Sequence, residues 1–283
     1  RPAAERLRRR AALSALPRAG RARRLTRRTA IPHHTPPQAP ARGRVGLLLG
    51  CTARAQHHEL HMATLKVLAA EGYEVIAPVL PDCCGALELD SGARDHGLRR
   101  AQQTIDAFAA VGGVDHVISS SGSCGAALKD YGPLLGTPDA RAFSALALDV
   151  HELLAQAPLR SALAPLALRI AYHDACGLRH RQRAGDHPRE LLARIPGVDL
   201  LEPAADAGAC CGAPGIYRFT QAEAAAKLGR RQAQALIETG AAMVVTTDHA
   251  CRAQLSRQLA ALGRPLPVHH PIELLARAIG VDA

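Results

Sequence analysis

At 283 residues, 48% of them hydrophobic and 21% charged, the chain can bury an ample core without covalent staples, which argues against a small disulfide framework. Its formal charge of +10 is local, because residues 1–44 hold 13 Arg, no Lys and the single acid Glu5, about +12, and leave the remainder near −2. No secretory apolar core and no run of 18 apolar residues occurs, so the sequence supports neither secretion nor a transmembrane span.

Taken in order, Ala3 to Leu16 reads as a short basic helix ended by Pro17, and Ile31 to Arg44 as an extended linker carrying Pro32, Pro36, Pro37 and Pro40. With no Trp, three Phe and four Tyr in the chain, and no aromatic among the arginines, the arm reads as a tether or partner-docking segment rather than a nucleic-acid binder. An organelle transit peptide shares its composition. From residue 45 the texture changes. Val45 to Gly50 is a short apolar run of the buried parallel-strand type, followed by a helix from His57 to Ala70 and a strand from Tyr73 to Leu80. A helix from Asp95 to Val111 and a strand from Asp115 to Ser120 complete the first unit. The order then repeats, with strands at Leu168 to Tyr172, Val198 to Glu202 and Ala242 to Thr247, and a helix from Gln221 to Glu238. Alternating strand and helix predict an α/β fold: two duplicated βαβ-type modules with parallel sheets, residues 45–160 and 161–283, related by a pseudo-twofold.

The cysteines carry the same duplication. Cys51, Cys83, Cys84 and Cys124 recur as Cys176, Cys210, Cys211 and Cys251 at offsets of 125, 127, 127 and 127, and these eight are every cysteine present. Each adjacent pair is closed by glycine, Gly85 or Gly212. Disulfides and inert buried thiols are the alternatives, but inert thiols have no reason to repeat in register, and thiolates favour soft metals. All eight follow predicted strands, and loops at strand carboxyl ends line the crevice of a parallel sheet. The sites are therefore expected at those edges. Zinc commonly uses tight C-x₂₋₄-C knuckles, which are absent, whereas iron–sulfur spacing varies; both metals stay open, iron–sulfur ahead. Most of the 14 histidines read as solvated or hydrogen-bonded. His173 and His249 stand within three residues of a candidate ligand and are candidates to support or replace one. With Asp174 and Asp248 they make the second set richer in nitrogen and oxygen donors, so zinc is an option at one site, and the acids are expected to add negative charge there.

The duplicated Cys-Cys-Gly pattern resembles the paired cysteine-rich CCG domains of glycolate oxidase iron–sulfur subunits, lactate-utilisation iron–sulfur proteins and the CCG-bearing component of heterodisulfide reductases. The first of these is most similar, through Gly50-Cys51, Ala69 to Val75, Asp82 to Leu87, Leu128 to Gly132, His173-Asp174, Cys210 to Tyr217 and His270 to Leu275. This resemblance implies 4Fe–4S clusters, a noncubane form among the options, held by the eight cysteines. It also implies an electron-transfer subunit without chemistry of its own, cytoplasmic or membrane-associated through its complex. Its partners would be a flavin-containing 2-hydroxy-acid oxidase subunit and a ferredoxin-like iron–sulfur domain. The C-x₂-C-x₂-C runs of that ferredoxin-like half are absent here, so the chain is expected to match the C-terminal portion. Many relatives close each module with C-x-x-C, where this chain has Ser121 and Asp248.

Overall fold

The computed structural model describes residues 30–78, 83–204 and 208–281. The Arg-rich stretch with its expected helix, and Pro81-Asp82 before the first cysteine pair, lie outside the described residues. In chain order the first half forms β1 (His34–Thr35), β2 (Gly43–Leu48), α1 (Cys51–Gln56), α2 (His58–Ala70), β3 (Tyr73–Ile76), α3 (Ala86–Asp90) and α4 (Arg94–Ala110). It continues with β4 (His116–Ser119), α5 (Gly122–Leu135), α6 (Pro138–Leu146), β5 (Ala147–Asp149) and α7 (Val150–Ala155). The second half forms β6 (Leu168–His173), a π-helical turn (Gly177–Gln182), α8 (Asp186–Ala193), β7 (Val198–Leu201), α9 (Tyr217–Thr220) and α10 (Ala222–Glu238). Then come β8 (Met243–Thr246), α11 (His249–Ala261), β9 (Val268–His269) and α12 (Pro271–Ala278).

The strands make two sheets, ordered β1-β3-β2-β4-β5 and β7-β6-β8-β9. Every pair is parallel except β1 with β3. Without β1 the two orders are the same, with β2 matching β6 and β4 matching β8. The duplication seen in the cysteines is thus a duplication of α/β architecture.

Strands buried on both faces read as continuous apolar runs, and alternate side chains reach different cores. From β2, Val45 and Leu47 enter a central core while Leu48 enters an outer one; from β6, Ile170 and Tyr172 enter the same central core while Ala171 faces the other way. The central core is shared by both sheets and takes Leu60, Leu65 and Leu68 of α2, Leu153 of α7, Leu191 of α8 and Ile272 and Leu275 of α12. Each sheet also has its own outer core. One contains Cys84 and Cys124 with Phe108 and Tyr131; the other contains Cys211 and Cys251 with Leu236 and Leu255.

Two expectations are corrected. The Pro-rich stretch is docked rather than a free linker: His34 pairs with Ile76, and Gln38 N–H donates to the Ala69 carbonyl at 2.8 Å. Proline is tolerated at such an edge because no ladder donor is needed there. The strand expected to run from Tyr73 to Leu80 ends at Ile76. The helix expected from His57 to Ala70 is present as α2, His58–Ala70; ahead of it stands a helix the sequence did not suggest, α1, which starts at Cys51 itself and is separated from α2 by a backbone break at His57 (φ −127°).

Glu273 ties α12 to α11. It accepts from the His270 N–H at 2.7 Å in a capping box and from Arg252 at 3.1 Å. Burial alone raises its pKa, but the bonds from His269 and His270 and the charge of Arg252 outweigh it and hold the carboxyl at about 2. A depressed carboxylate contributes stability that is complete above its unfolded value and is lost as pH falls through the folded one. Glu273→Gln is therefore expected to lower unfolding stability by about 2 kcal/mol at pH 7 and by progressively less from about pH 4.5 down to about 2. Urea unfolding of both proteins across that range checks it.

Candidate metal centres

The outlying cysteines sit in helix starts rather than free turns, a refinement of the sequence reading. Cys51 begins α1, Cys124 lies in the first turn of α5, Cys251 in the first turn of α11, and Cys176 directly precedes the π-helical turn. The open N–H groups and dipole at such positions favour thiolate over thiol. In the adjacent pairs, the N–H of Gly85 donates to Cys83 Sγ at 3.4 Å and that of Gly212 to Cys210 Sγ at 3.3 Å. Tyr131 from α5 holds the first pair by donating to the Cys84 carbonyl at 2.6 Å.

Why glycine follows each pair is clear from the backbone. Gly85 and Gly212 have φ of 76° and 78°, which favours glycine. A Cβ on Gly212 would also stand 2.5 Å from the Ala225 carbonyl oxygen and 2.9 Å from Ala225 Cα at the start of α10. Neither backbone atom can move without shifting the helix. Gly212→Ala is expected to cost about 2 kcal/mol or more, measured as a lower urea midpoint, with Gly208→Ala as a positive-φ control that meets only the Arg179 side chain.

No disulfide joins any of the eight cysteines. In each set the sulfurs form an arc in chain order. Cys51 is hydrogen-bonded to Cys83, Cys83 to Cys84, and Cys84 to Cys124. Likewise Cys176 is hydrogen-bonded to Cys210 and Cys210 to Cys211, and Cys211 Sγ lies 3.2 Å from Cys251 Sγ. This crowding governs ionisation. Sharing a proton with Cys83, together with burial, pushes the Cys51 thiol up; its bond to Cys124 and burial do the same to Cys84. In the second set, bonds from Cys176 and Cys211 push Cys210 down while both of those neighbours are pushed up. One thiolate in such an arc suppresses the next, so a full set of thiolates requires a multivalent cation to offset it.

The two sets differ in their surroundings. The first opens on a cavity of about 240 Å³ lined by Cys51, Cys83, Cys84 and Cys124. Its rim comes partly from the second half of the chain, through Pro214, Ile216, Phe219 and His249. Leu87, Ile216, Tyr217 and Phe219 are the exposed large apolar side chains among the described residues, and all four stand at or beside this mouth. The sequence reading missed this rim, although Tyr217 and Phe219 are two of only seven Tyr and Phe residues in the chain. His249 likewise faces the first cavity, its ring 6.3 Å from that of His57. His61, expected to be solvated or hydrogen-bonded, is fully buried with neither ring nitrogen bonded, and burial lowers its pKa to about 4, keeping it neutral.

At the second set, a ring nitrogen of His173 and the sulfurs of Cys211 and Cys251 lie within 4.8 Å of one another, and all three residues are buried. Asp174, expected to add negative charge here, is matched by Arg179 at 2.6 Å and Arg189 at 3.0 Å. Asp248 is spent on the junction between the two halves. One carboxylate oxygen caps α11, accepting from Ala250 N–H at 2.9 Å. The other accepts from Ser123 N–H (3.0 Å), Ser123 Oγ (2.8 Å) and Ser121 Oγ (3.3 Å). Ser121 and Asp248 are equivalent positions 127 residues apart, so the same position in the two halves is joined to its own counterpart. Beside them the Gly122 N–H donates to the Thr247 carbonyl at 3.3 Å.

Fold and site together define a duplicated α/β protein that gathers four thiols at each of two equivalent sheet edges, a metal-binding architecture. The chain belongs to the CCG cysteine-rich domain family, which matches residues 45–129 and 170–256. It is 32% identical over 86% of its length to the glycolate oxidase iron-sulfur subunit of Escherichia coli K12, covering 60% of that protein. It is 32% identical over 88% of its length to the probable glycolate oxidase iron-sulfur subunit of Bacillus subtilis 168, covering 58% of it. To lactate utilization protein A of Geobacillus kaustophilus it is 27% identical over 82% of its length, covering 98% of that protein. The chain thus spans about three fifths of the glycolate oxidase subunits it matches. A crystal structure of a hypothetical protein from Helicobacter pylori superposes with a TM-score of 0.59 at 14% identity, over 89% of this chain and 52% of that one; it shares the fold. No helix among the described residues is long and apolar enough to cross a membrane.

Proposed function

We propose that this chain is an iron–sulfur electron-transfer subunit. It would accept electrons from a flavin-bearing subunit that oxidises a 2-hydroxy acid of the glycolate type and pass them to an acceptor through two 4Fe–4S centres. The observation that carries this reading is the pair of equivalent four-thiol arcs, one on each sheet edge, in a family whose relatives are named iron–sulfur subunits. An iron–sulfur centre, when bound, supplies reversible one-electron chemistry. The chain supplies the rest. Cys51, Cys83, Cys84 and Cys124 would hold the first centre, and Cys176, Cys210, Cys211 and Cys251 the second. Gly85 and Gly212 donate N–H groups to sulfur, which stabilises negative charge on the thiolates. Tyr131 fixes the Cys84 backbone, and the outer cores exclude water from Cys84, Cys124, Cys211 and Cys251. The open first cavity, with its apolar rim, is the face at which a partner's redox group approaches.

The test mixes the anaerobically purified chain with a flavin-containing 2-hydroxy-acid oxidase subunit and glycolate. Bleaching of the chain's visible absorbance is expected on adding glycolate. Bleaching by dithionite but not by the glycolate-reduced flavin partner would overturn the partner assignment. A spectrum insensitive to dithionite would overturn electron transfer itself.

A further inference from the structure

We propose that His173 is a metal ligand of the second centre, sharing one ion with Cys211 and Cys251, so that the chain carries one all-thiolate centre and one mixed thiolate–imidazole centre. This rests on reading the cysteine arcs as metal centres, and it adds a residue and a distinct coordination to one of them.

His173 is the last residue of β6 and stands three residues before Cys176, where Leu48 of β2 stands before Cys51. At that position in the first copy, Leu48 packs in an apolar cluster with Cys84 and Cys124. In the second copy the side chain is 2% exposed and carries a ring that can donate electrons. Its Nδ1 is fixed against Thr246 Oγ1 of the neighbouring strand at 3.0 Å, while Nε2 is buried without a partner. An imidazole nitrogen left unpaired in an interior is unfavourable, so a structural histidine here would be a poor replacement for leucine. With Nδ1–H donating to Thr246, Nε2 presents a lone pair, and a hydrogen bond on the far nitrogen is the usual arrangement of a ligating histidine.

The donor spacing points to one ion. Sulfur and nitrogen donors on a tetrahedral metal, at bonds of about 2.0–2.3 Å, stand about 3.3–3.8 Å apart. Cys211 and Cys251 sulfurs are 3.2 Å apart, and all three donors fit within 4.8 Å. Cys210, hydrogen-bonded to Cys211, and Cys176 remain to hold the rest of the centre. Imidazole with thiolates suits iron or zinc, and the experiment separates them.

Cys84→Ser protein, expected to keep only the second centre, is purified anaerobically, assayed for iron, zinc and sulfide, and reduced with dithionite. For iron, pulsed electron paramagnetic resonance with ¹⁵N-histidine labelling is expected to give a strongly coupled nitrogen that is lost on adding His173→Leu. For zinc, X-ray absorption reads the same ligand as a nitrogen at about 2.0–2.1 Å. A metal-loaded centre with sulfur-only coordination overturns the role of His173 and leaves the iron–sulfur reading intact. Zinc bound through imidazole without sulfide upholds His173 and overturns the iron–sulfur reading of this centre. If Cys84→Ser does not fold, His173→Leu in the otherwise unchanged chain gives the answer. Leucine is the side chain the first copy tolerates, and a nitrogen signal that survives it overturns the proposal.

Discussion

Cys84→Ser and Cys211→Ser are each expected to remove about half of the bound metal and leave the other half spectroscopically unchanged. Each copy holds a complete arc of four cysteines, and the inner thiols of the two arcs lie in different outer cores, Cys84 and Cys124 in one and Cys211 and Cys251 in the other. Serine keeps the volume of the side chain but offers a hard oxygen in place of a soft thiolate, which weakens a soft or borderline site. The central core and the Asp248 clasp join the two halves mechanically, yet neither places a thiol of one arc in the other. Loss of nearly all metal from either single variant would contradict independent centres.

Asp248→Ala is expected to destabilise the protein by about 4 kcal/mol. One buried carboxylate, 3% exposed, accepts from Ser121, Ser123 and the first turn of α11. Losing a helix cap costs about 1 kcal/mol, and each buried donor left without an acceptor adds about 1–3 kcal/mol. Asp248→Asn retains one acceptor oxygen and is expected to recover roughly half of the loss. Because Ser121 and Ser123 lie beside Cys124, the alanine variant is also expected to loosen the first centre, even though Asp248 belongs to the second half. Urea unfolding, together with the rate at which a chelator strips metal from each site, measures both effects. An alanine variant within about 0.5 kcal/mol of the parent, a change typical of an ordinary surface substitution, would contradict the clasp.

Much of this was readable in the residues because it rests on local pattern. The 127-residue offset of the cysteines required a duplication, and strands of the Val45–Gly50 kind, apolar on both faces, required a parallel sheet. Gly85 and Gly212 marked close backbone approach, though which helix approaches, α10 for Gly212, is a tertiary fact. Long-range contacts were hidden. Nothing near Asp248 in sequence reveals that its carboxylate reaches Ser121 and Ser123, since that contact depends on how two sheets pack. His249 is adjacent in sequence to the second set yet lines the first cavity, because α11 starts at the junction and its first residue points across it. His173 lay within reach of the sequence argument by position alone; the buried, unbonded ring nitrogen needed the fold. The Pro-rich stretch has the composition of an extended linker, and its docking depends on an edge strand, β3, that only the fold supplies.

The most direct measurement is the content of iron, acid-labile sulfide and zinc per chain after anaerobic purification of the unaltered protein. Iron and sulfide are expected in equal amounts, about eight of each per chain, or about four per centre, with a brown chromophore that bleaches on reduction. A colourless protein with stoichiometric zinc and no sulfide would contradict this.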